Sequence, residues 1–581
     1  MERAALGWPG RLVRLPARSL ALAAGVGAAA GAVSVGFWDA IAALWAVLDF
    51  PVRRFLQGLW PVFPATMIYP AVGAALAVAV TSRLFRFFRR PGVPTVMLDA
   101  RNRWAKLPGA LLPATFVGSV LTIGSGGSAG REAPVVAMGG TLGAVVARAL
   151  GLLPRQRQML VACGTSAAVA AAFNAPLAGV FFTLELVLGD FRVTTLAPVM
   201  VASVSGTIVC RALEGSPDVG HFRLPPFPYP PFRETLLFLG LGILAAVIAE
   251  LFSSTNRLSH RLFSRLSVAP ELRAALGGLG VGALALAVPQ VLGNGYEWIV
   301  QACAGELPWQ LMATALLAKI VATSLTLGSG GWGGDLAPLL FLGAMGGGAY
   351  GSALAQLGLS EAPAAFSVVG MGAVLAAGTR AALTSMFLVL ELTGSYQVVP
   401  GALLAIAAAS LAARSLRRVG MYHREVRELG GPAYEVQGQG LASIPARHLM
   451  RPEFVTLQAG IPLGQALPRL LSAPQVVFPV VDADGRVMGA VRLAAVKAAL
   501  WGLPEEAPVV AADLAEEVPF LTPAATSEEA AELLALSGVE ELVVVDPQTQ
   551  RPVGLVDARD ILRAAFAGEG VEVLGPRGSR N

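Results

Sequence analysis

LTIGSGGSAGREAP at residues 121–134 returns as LTLGSGGWGGDLAP at residues 325–338, with nine of the fourteen letters shared and no gap. A match of that quality at a distance of 204 residues is not chance, so the chain carries an internal duplication. The register runs on: FFTLEL at 181–186 and FLVLEL at 387–392 close apolar helices in both copies, 206 residues apart. In each quoted stretch a Gly-rich break leads to a proline, Pro134 or Pro338, which suits the first turn of a new helix because its missing N–H costs nothing there. Repeated halves with Gly-interrupted segments at matching positions have the form of a channel or secondary transporter with its site at the repeat interface. The stretch PPFPYPPFR at 225–233 is too stiff and helix-averse to span a membrane, and it separates halves at about 18–224 and 234–430.

The composition around this repeat is that of a membrane protein. Of 581 residues, 55% are hydrophobic and 14% charged, and the mean hydropathy is +0.64. A water-soluble domain cannot carry that on its surface. Uncharged runs at 107–130, 158–184, 193–210, 274–296, 336–360 and 392–413 each approach the ~20 residues that a spanning helix requires. With 66 Gly and 40 Pro among them, the expected fold is all-α and polytopic, built of tilted, broken and closely packed helices. The net charge of +5 does not point to nucleic acid, because the basic residues cluster beside apolar spans: Arg11, Arg14, Arg18; Arg83, Arg86, Arg89, Arg90; Arg414, Arg417, Arg418. That pattern predicts a multi-pass protein of the plasma (inner) membrane with cytoplasmic N- and C-termini. Residues 19–36 imitate a signal peptide, but their continuation through Trp38 to Leu48 favours a retained first helix. Cys163, Cys210 and Cys303 stand in apolar context and the four His lack ligand spacing, so neither a disulfide framework nor a metal site is expected.

Acidic residues become frequent after about 420–440, and the apolar runs shrink to strand length. FPVVDADGRVMGAVRLAAVKAAL at 478–500 and LVVVDPQTQRPVGLVDARDILRAAF at 542–566 each read as strand, turn, strand and helix, with further helices near 463–472 and 527–537. The expected order is a short segment 1–17, a membrane domain 18–430, a linker 431–442, α/β modules at 443–503 and 507–568, and a flexible tail 569–581.

The chemistry concentrates at the repeated breaks. Free amides at the start of a helix, aided by the helix dipole, bind an anion without a full positive charge. Gly130, Arg131 and Glu132 lead into one such start, and Gly333, Gly334, Asp335, Leu336 and Ala337 into its repeat. Two starts facing one midplane point would hold a dehydrated anion loosely enough to release it. Glu132 there either mimics the anion, so that its protonation or displacement opens the site, or merely caps its helix.

At these residues the chain resembles the CLC family of chloride channels and proton/chloride antiporters. GREAP at 130–134 is similar to that family's GREGP, and GGDLAP at 333–338 to GGIFAP. RPGVP at 90–94 resembles a degenerate GSGIP, NAPLAG at 174–179 is another family string, and Tyr422 looks like the pore tyrosine. The C-terminal tail resembles a cytoplasmic pair of CBS domains. The resemblance implies a homodimer with one pore per subunit, Glu132 as the outer gate, and an anion surrounded by backbone amides near Pro91, Gly92, Arg131, Glu132, Gly334, Asp335, Leu336 and Ala337 and by the Tyr422 hydroxyl. The departures are as informative. Pro91 replaces the selectivity serine and implies a preference for nitrate over chloride, and Leu336 replaces a phenylalanine. Asp335 adds a carboxylate that either pairs with Arg131 or caps its own helix. The antiporters' inner proton glutamate is Leu186, directly after Glu185; Glu185 and its repeat mate Glu391 read as structural. In the second CBS module Asp560 stands where a ribose-binding Asp is expected and Asp557 where a Thr is usual, while the first module has Ala495, so at most one adenine nucleotide is implied.

The expected function is a glutamate-gated channel or transporter for chloride or a similar monovalent anion, lying in the lipid bilayer, without tight proton coupling and with no cofactor required. The alternatives are a proton/anion antiporter for chloride or nitrate and, in another class, a nucleotide-sensing membrane-anchored regulator. No paired catalytic carboxylates, Ser/His dyad or metal cluster accompanies the motifs, so no enzyme is expected.

Overall fold

The computed structural model describes residues 17–59, 68–85, 92–101, 107–189, 191, 193–215, 234–417, 419–429, 445–496, 509–516, 518–537 and 539–561. The chain divides into two compact units, Met1–Tyr434 and Glu435–Asn581. The expected N-terminal segment, the loop at 225–233, the linker at 431–442 and the C-terminal tail lie outside the described residues.

The first unit shows the duplication helix by helix. One half runs α1 (Ala17–Leu59), α2 (Tyr69–Leu84), α3 (Val93–Arg101), α4 (Leu111–Gly124), α5 (Glu132–Ala149), α6 (Pro154–Phe173), α7 (Pro176–Phe181) and α8 (Val193–Glu214). The other runs α9 (Leu237–Ser264), α10 (Pro270–Ala287), α11 (Tyr296–Ala304), α12 (Trp309–Gly328), α13 (Leu336–Gln356), α14 (Pro363–Thr379), α15 (Ala382–Thr393) and α16 (Val399–Leu416), with α17 (Met421–Glu428) after it. Packing partners repeat as well. α5 lies on α6 as α13 lies on α14, and α1 on α8 as α9 on α16, while α2 meets α10 and α7 meets α15 across the halves.

The uncharged runs were expected to be single spans, and several are not. Residues 158–184 break at Asn174, which takes a left-handed φ of 52°, and the run 107–130 is helical only through α4. Among the described residues five helices are long and apolar enough to cross a membrane, at Arg18–Leu48, Thr195–Glu214, Leu237–Ser264, Trp309–Gly328 and Tyr396–Leu416. A break at membrane depth strands backbone groups that only protein can satisfy. Here the two halves satisfy each other: the Ser128 amide donates to Thr326 Oγ1 at 3.1 Å, and its repeat equivalent, the Trp332 amide, to Thr122 Oγ1 at 3.1 Å. The first helix belongs to this core, with Phe37 and Trp38 buried.

The second unit holds two modules of one pattern. β1 (Leu457–Gln458) pairs in parallel with β2 (Val477–Val481), which pairs antiparallel with β3 (Val487–Arg492); β4 (Phe520–Leu521), β5 (Glu541–Val545) and β6 (Pro552–Asp557) do the same. α18 (Leu463–Ser472) and α19 (Ser527–Ser537) fall where the periodicity places them. β1 and β4 are too short to leave a periodic signal, and the sequence reading lacks them. Val477, Ala490, Val543, Val545 and Leu555 form a core shared by the modules.

Candidate functional site

The start of α5 meets the start of α13. Gly130 and Gly334, equivalent residues of the repeat, pair antiparallel: the Gly130 amide donates to the Gly334 carbonyl at 2.7 Å and the Gly334 amide to the Gly130 carbonyl at 2.8 Å. Reciprocal pairing of equivalent residues places a local two-fold axis between them. Only glycine permits this approach, because a Cβ on Gly334 would lie 2.3 Å from Ala133 Cβ. Arg131 and Asp335 are the N-cap residues, and neither side chain caps its own helix, so the first-turn amides of both helices remain directed at the junction.

The Glu132 carboxylate lies in that junction. The side chain is fully buried, and a Cβ on Gly130 would stand 2.7 Å from Glu132 Oε2 and 3.0 Å from the Ala337 amide nitrogen. The carboxylate of one half therefore sits by a first-turn amide of the other. Glu132 Oε1 accepts a hydrogen bond from the Tyr296 hydroxyl and lies 3.6 Å from Arg131 Nε, while Oε2 is buried without a hydrogen bond. The Arg131 guanidinium lies over two aromatic rings, 4.8 Å from the Trp38 centroid and 5.1 Å from that of Tyr296. Glu132 is thus held by a hydroxyl donor and one buried cation.

Tyr296 and Trp38 were not among the residues expected from sequence. Tyr296 opens α11 directly after Gly295, whose φ is 82°. Behind that turn stands Lys319 of α12, fully buried, with Nζ donating to the carbonyls of Val291 at 3.0 Å and Gly293 at 2.8 Å and lying 5.0 Å from the Phe341 ring. A lone lysine in an otherwise apolar span was the available signal.

Asp335 stands at the N-cap of α13 without a side-chain hydrogen bond to its own helix. Its carboxylate is buried and accepts a hydrogen bond from the Tyr422 hydroxyl at 2.6 Å, which brings α17 onto the start of α13. Leu336 and Ala337 are buried in the first turn of α13. Gly92 precedes α3, which packs on both α5 and α17, and its amide lies 3.4 Å from Thr95 Oγ1. Pro91 lies outside the described residues.

Glu185 and Glu391 are mates that engage the opposite halves reciprocally. Glu185 accepts the Leu383 amide at 3.1 Å and the Thr384 amide and hydroxyl at 2.8 Å, while Glu391 accepts the Leu177 amide at 2.9 Å and the Ala178 amide at 2.8 Å. Each glutamate thus caps the first turn of the other half's helix, with the Phe181 and Phe387 rings stacked 4.1 Å apart. Leu186 follows in a π-helical turn, Phe182–Leu188, and is buried in the apolar core.

In the second unit, Asp560 and Asp557 bond each other's backbone, the Asp560 amide donating to Asp557 Oδ1 at 2.7 Å and the Asp557 amide to Asp560 Oδ2 at 3.2 Å. Arg451 reaches into this turn, with Nε 3.2 Å from Asp560 Oδ2 and Nη2 2.6 Å from Glu541 Oε1. Burial raises the Asp560 carboxyl above the usual range and repulsion from Asp557 adds to it, with Arg451 opposing. The carboxylate expected to hold a ribose is engaged by the chain's own guanidinium.

The family described as "Voltage gated chloride channel" matches residues 73–414, and the CBS domain family matches 446–502 and 511–567. A ClcB-like protein of Ralstonia nicotianae is 34% identical over 366 residues, covering 62% of this chain and 85% of that protein. The voltage-gated ClC-type chloride channel ClcB of Escherichia coli is 30% identical over 420 residues, covering 71% of this chain and 99% of that protein. The crystal structure of a slow cyanobacterial Cl-/H+ antiporter is 26% identical, covers 71% of this chain and 98% of its own, and superposes with a TM-score of 0.64.

Proposed function

The chain belongs to the voltage-gated chloride channel family, and from that membership and the geometry of the junction we propose that it moves chloride or a similar monovalent anion past Glu132 without obligatory proton exchange. The observation that carries the reading is the Glu132 carboxylate lying between two helix starts, in the place and with the charge of the ion it would exclude. Protonation removes that charge, and the side chain can then leave the amides of α5 and α13 to an anion. The helix dipoles, each equivalent to roughly half a unit charge, supply the attraction without holding the ion too tightly to leave. Arg131 lies beside the same point, so a buried cation remains there to face the anion that replaces the carboxylate.

Leu186 supports uncoupled flow, because a buried apolar side chain cannot relay a proton inward. Glu185 is no substitute, since both its oxygens are committed to α15. A second reading, proton/anion antiport, draws support from the antiporter named above and from Asp335, a buried carboxyl that the family string GGIFAP lacks. Anion efflux from proteoliposomes with internal pH recorded in parallel separates the two. The family resemblance further supports a homodimer with cytoplasmic termini. The occupied Asp560 turn favours a scaffolding CBS pair over a nucleotide sensor.

A further inference from the structure

Tyr422 has one hydroxyl proton, and it is directed to Asp335 Oδ1 at 2.6 Å. A hydroxyl so engaged cannot donate to an anion at the start of α13. Asp335 is itself buried, does not cap its helix with its side chain, and stands two residues before the Ala337 amide that lies by Glu132. Its charge at that point repels the ion that the helix start attracts.

We propose that Asp335 and Tyr422 form a second gate on the anion path, at the start of α13, which opens when Asp335 takes up a proton. The proposal rests on the reading above that the anion passes between the helix starts. A proton from the aqueous side binds Asp335; the neutral carboxyl then donates its own O–H to the Tyr422 oxygen, and the tyrosine proton turns to the anion. The negative charge and the blocked donor are removed together. Asp335 thereby replaces a proton-sensitive function that Leu186 cannot serve.

On the elements packed against α13, several charged groups are held by other partners. Arg131 lies by Glu132, Lys319 is held by two carbonyls, and Glu250 of α9 is paired with Arg417. On α11, Tyr296 is bonded to Glu132 and Glu297 is exposed; α14 carries no titratable residue. On α17, His423 adjoins Tyr422, so it serves as the control.

The test is anion efflux from proteoliposomes against symmetric pH, in the Glu132→Gln background, where the outer gate no longer titrates. We expect Glu132→Gln to retain a flux that rises as pH falls. Asp335→Asn in that background should raise flux at neutral pH at least roughly tenfold, the scale of releasing one hydrogen bond to a charged group, and flatten the pH profile. Asp335→Ser, the second variant should the first not fold, should flatten it too, and His423→Gln should leave it sloped. A flat profile already in Glu132→Gln, a profile that survives loss of Asp335, or one abolished by His423→Gln would overturn the second gate while leaving the one at Glu132 intact. Absence of anion flux from the wild type would remove both.

Discussion

Glu132 is held by residues that the chain keeps 94 to 205 positions away, Trp38 acting through Arg131, Tyr296 directly and Ala337 across the axis. If the Tyr296 hydroxyl helps fix the carboxylate in the junction, Tyr296→Phe should shift the pH at which flux rises and leave the ion ranking unchanged, as read by efflux at a series of pH values. Lys319 acts one step back, through the turn that presents Tyr296. Lys319→Met should shift the same profile in the same direction, and Lys319→Arg should restore it; equal profiles for all three proteins would make the lysine a packing residue only. At the family's selectivity position, Pro91→Ser should raise the chloride/nitrate flux ratio, because a new hydroxyl donor favours the more strongly hydrated ion. The motif residues Arg131, Glu132 and Asp335 were legible because a charge beside a glycine break in an apolar chain demands a reason. Their partners were not: which hydroxyl reaches Glu132 or Asp335 is set by contacts 87 and 164 residues apart in sequence.

At the scale of elements, the reciprocal caps bind the halves. Glu185 and Glu391 each accept first-turn amides from the opposite repeat, and hydrogen bonds to a charged group contribute about 1.5–3 kcal/mol. Glu185→Ala or Glu391→Ala should each lower the thermal unfolding midpoint in detergent by several degrees without altering the pH profile of flux in the folded fraction. A profile changed as strongly as by Glu132→Gln would return Glu185 to the transport path. The match of FFTLEL with FLVLEL told that these glutamates correspond, and correspondence is what a two-fold pair of caps requires. It could not tell that Glu185 lies in a π-helical turn, because widening a helix by one residue per turn leaves the apolar pattern intact over seven residues. Helix breaks were similarly half legible: Gly and Pro marked those before α5 and α13, and Pro176 marks the restart at α7, whereas no charge flags the end of α6 at Asn174.

For the whole molecule, one expectation concerns the tail. With Arg451 engaging Asp560 and Glu541, adenine nucleotides should not shift the melting of the purified protein, whereas a saturable shift with ATP or AMP that Asp560→Asn removes would restore a nucleotide site. The duplicated membrane unit was readable because its repeat is written in the letters that make it, glycines where helices must touch and prolines where they restart. The course of anion and proton was not, since it depends on which buried carboxyls face one another. That course is the central claim, and it is most directly tested by imposing a chloride gradient on proteoliposomes and recording anion efflux and internal pH together. Sustained efflux with no uphill proton movement is the expected result. Proton pumping that follows the chloride gradient at a fixed ratio and is lost in Glu132→Gln would contradict it, and would make Asp335 the inner proton carrier of an antiporter.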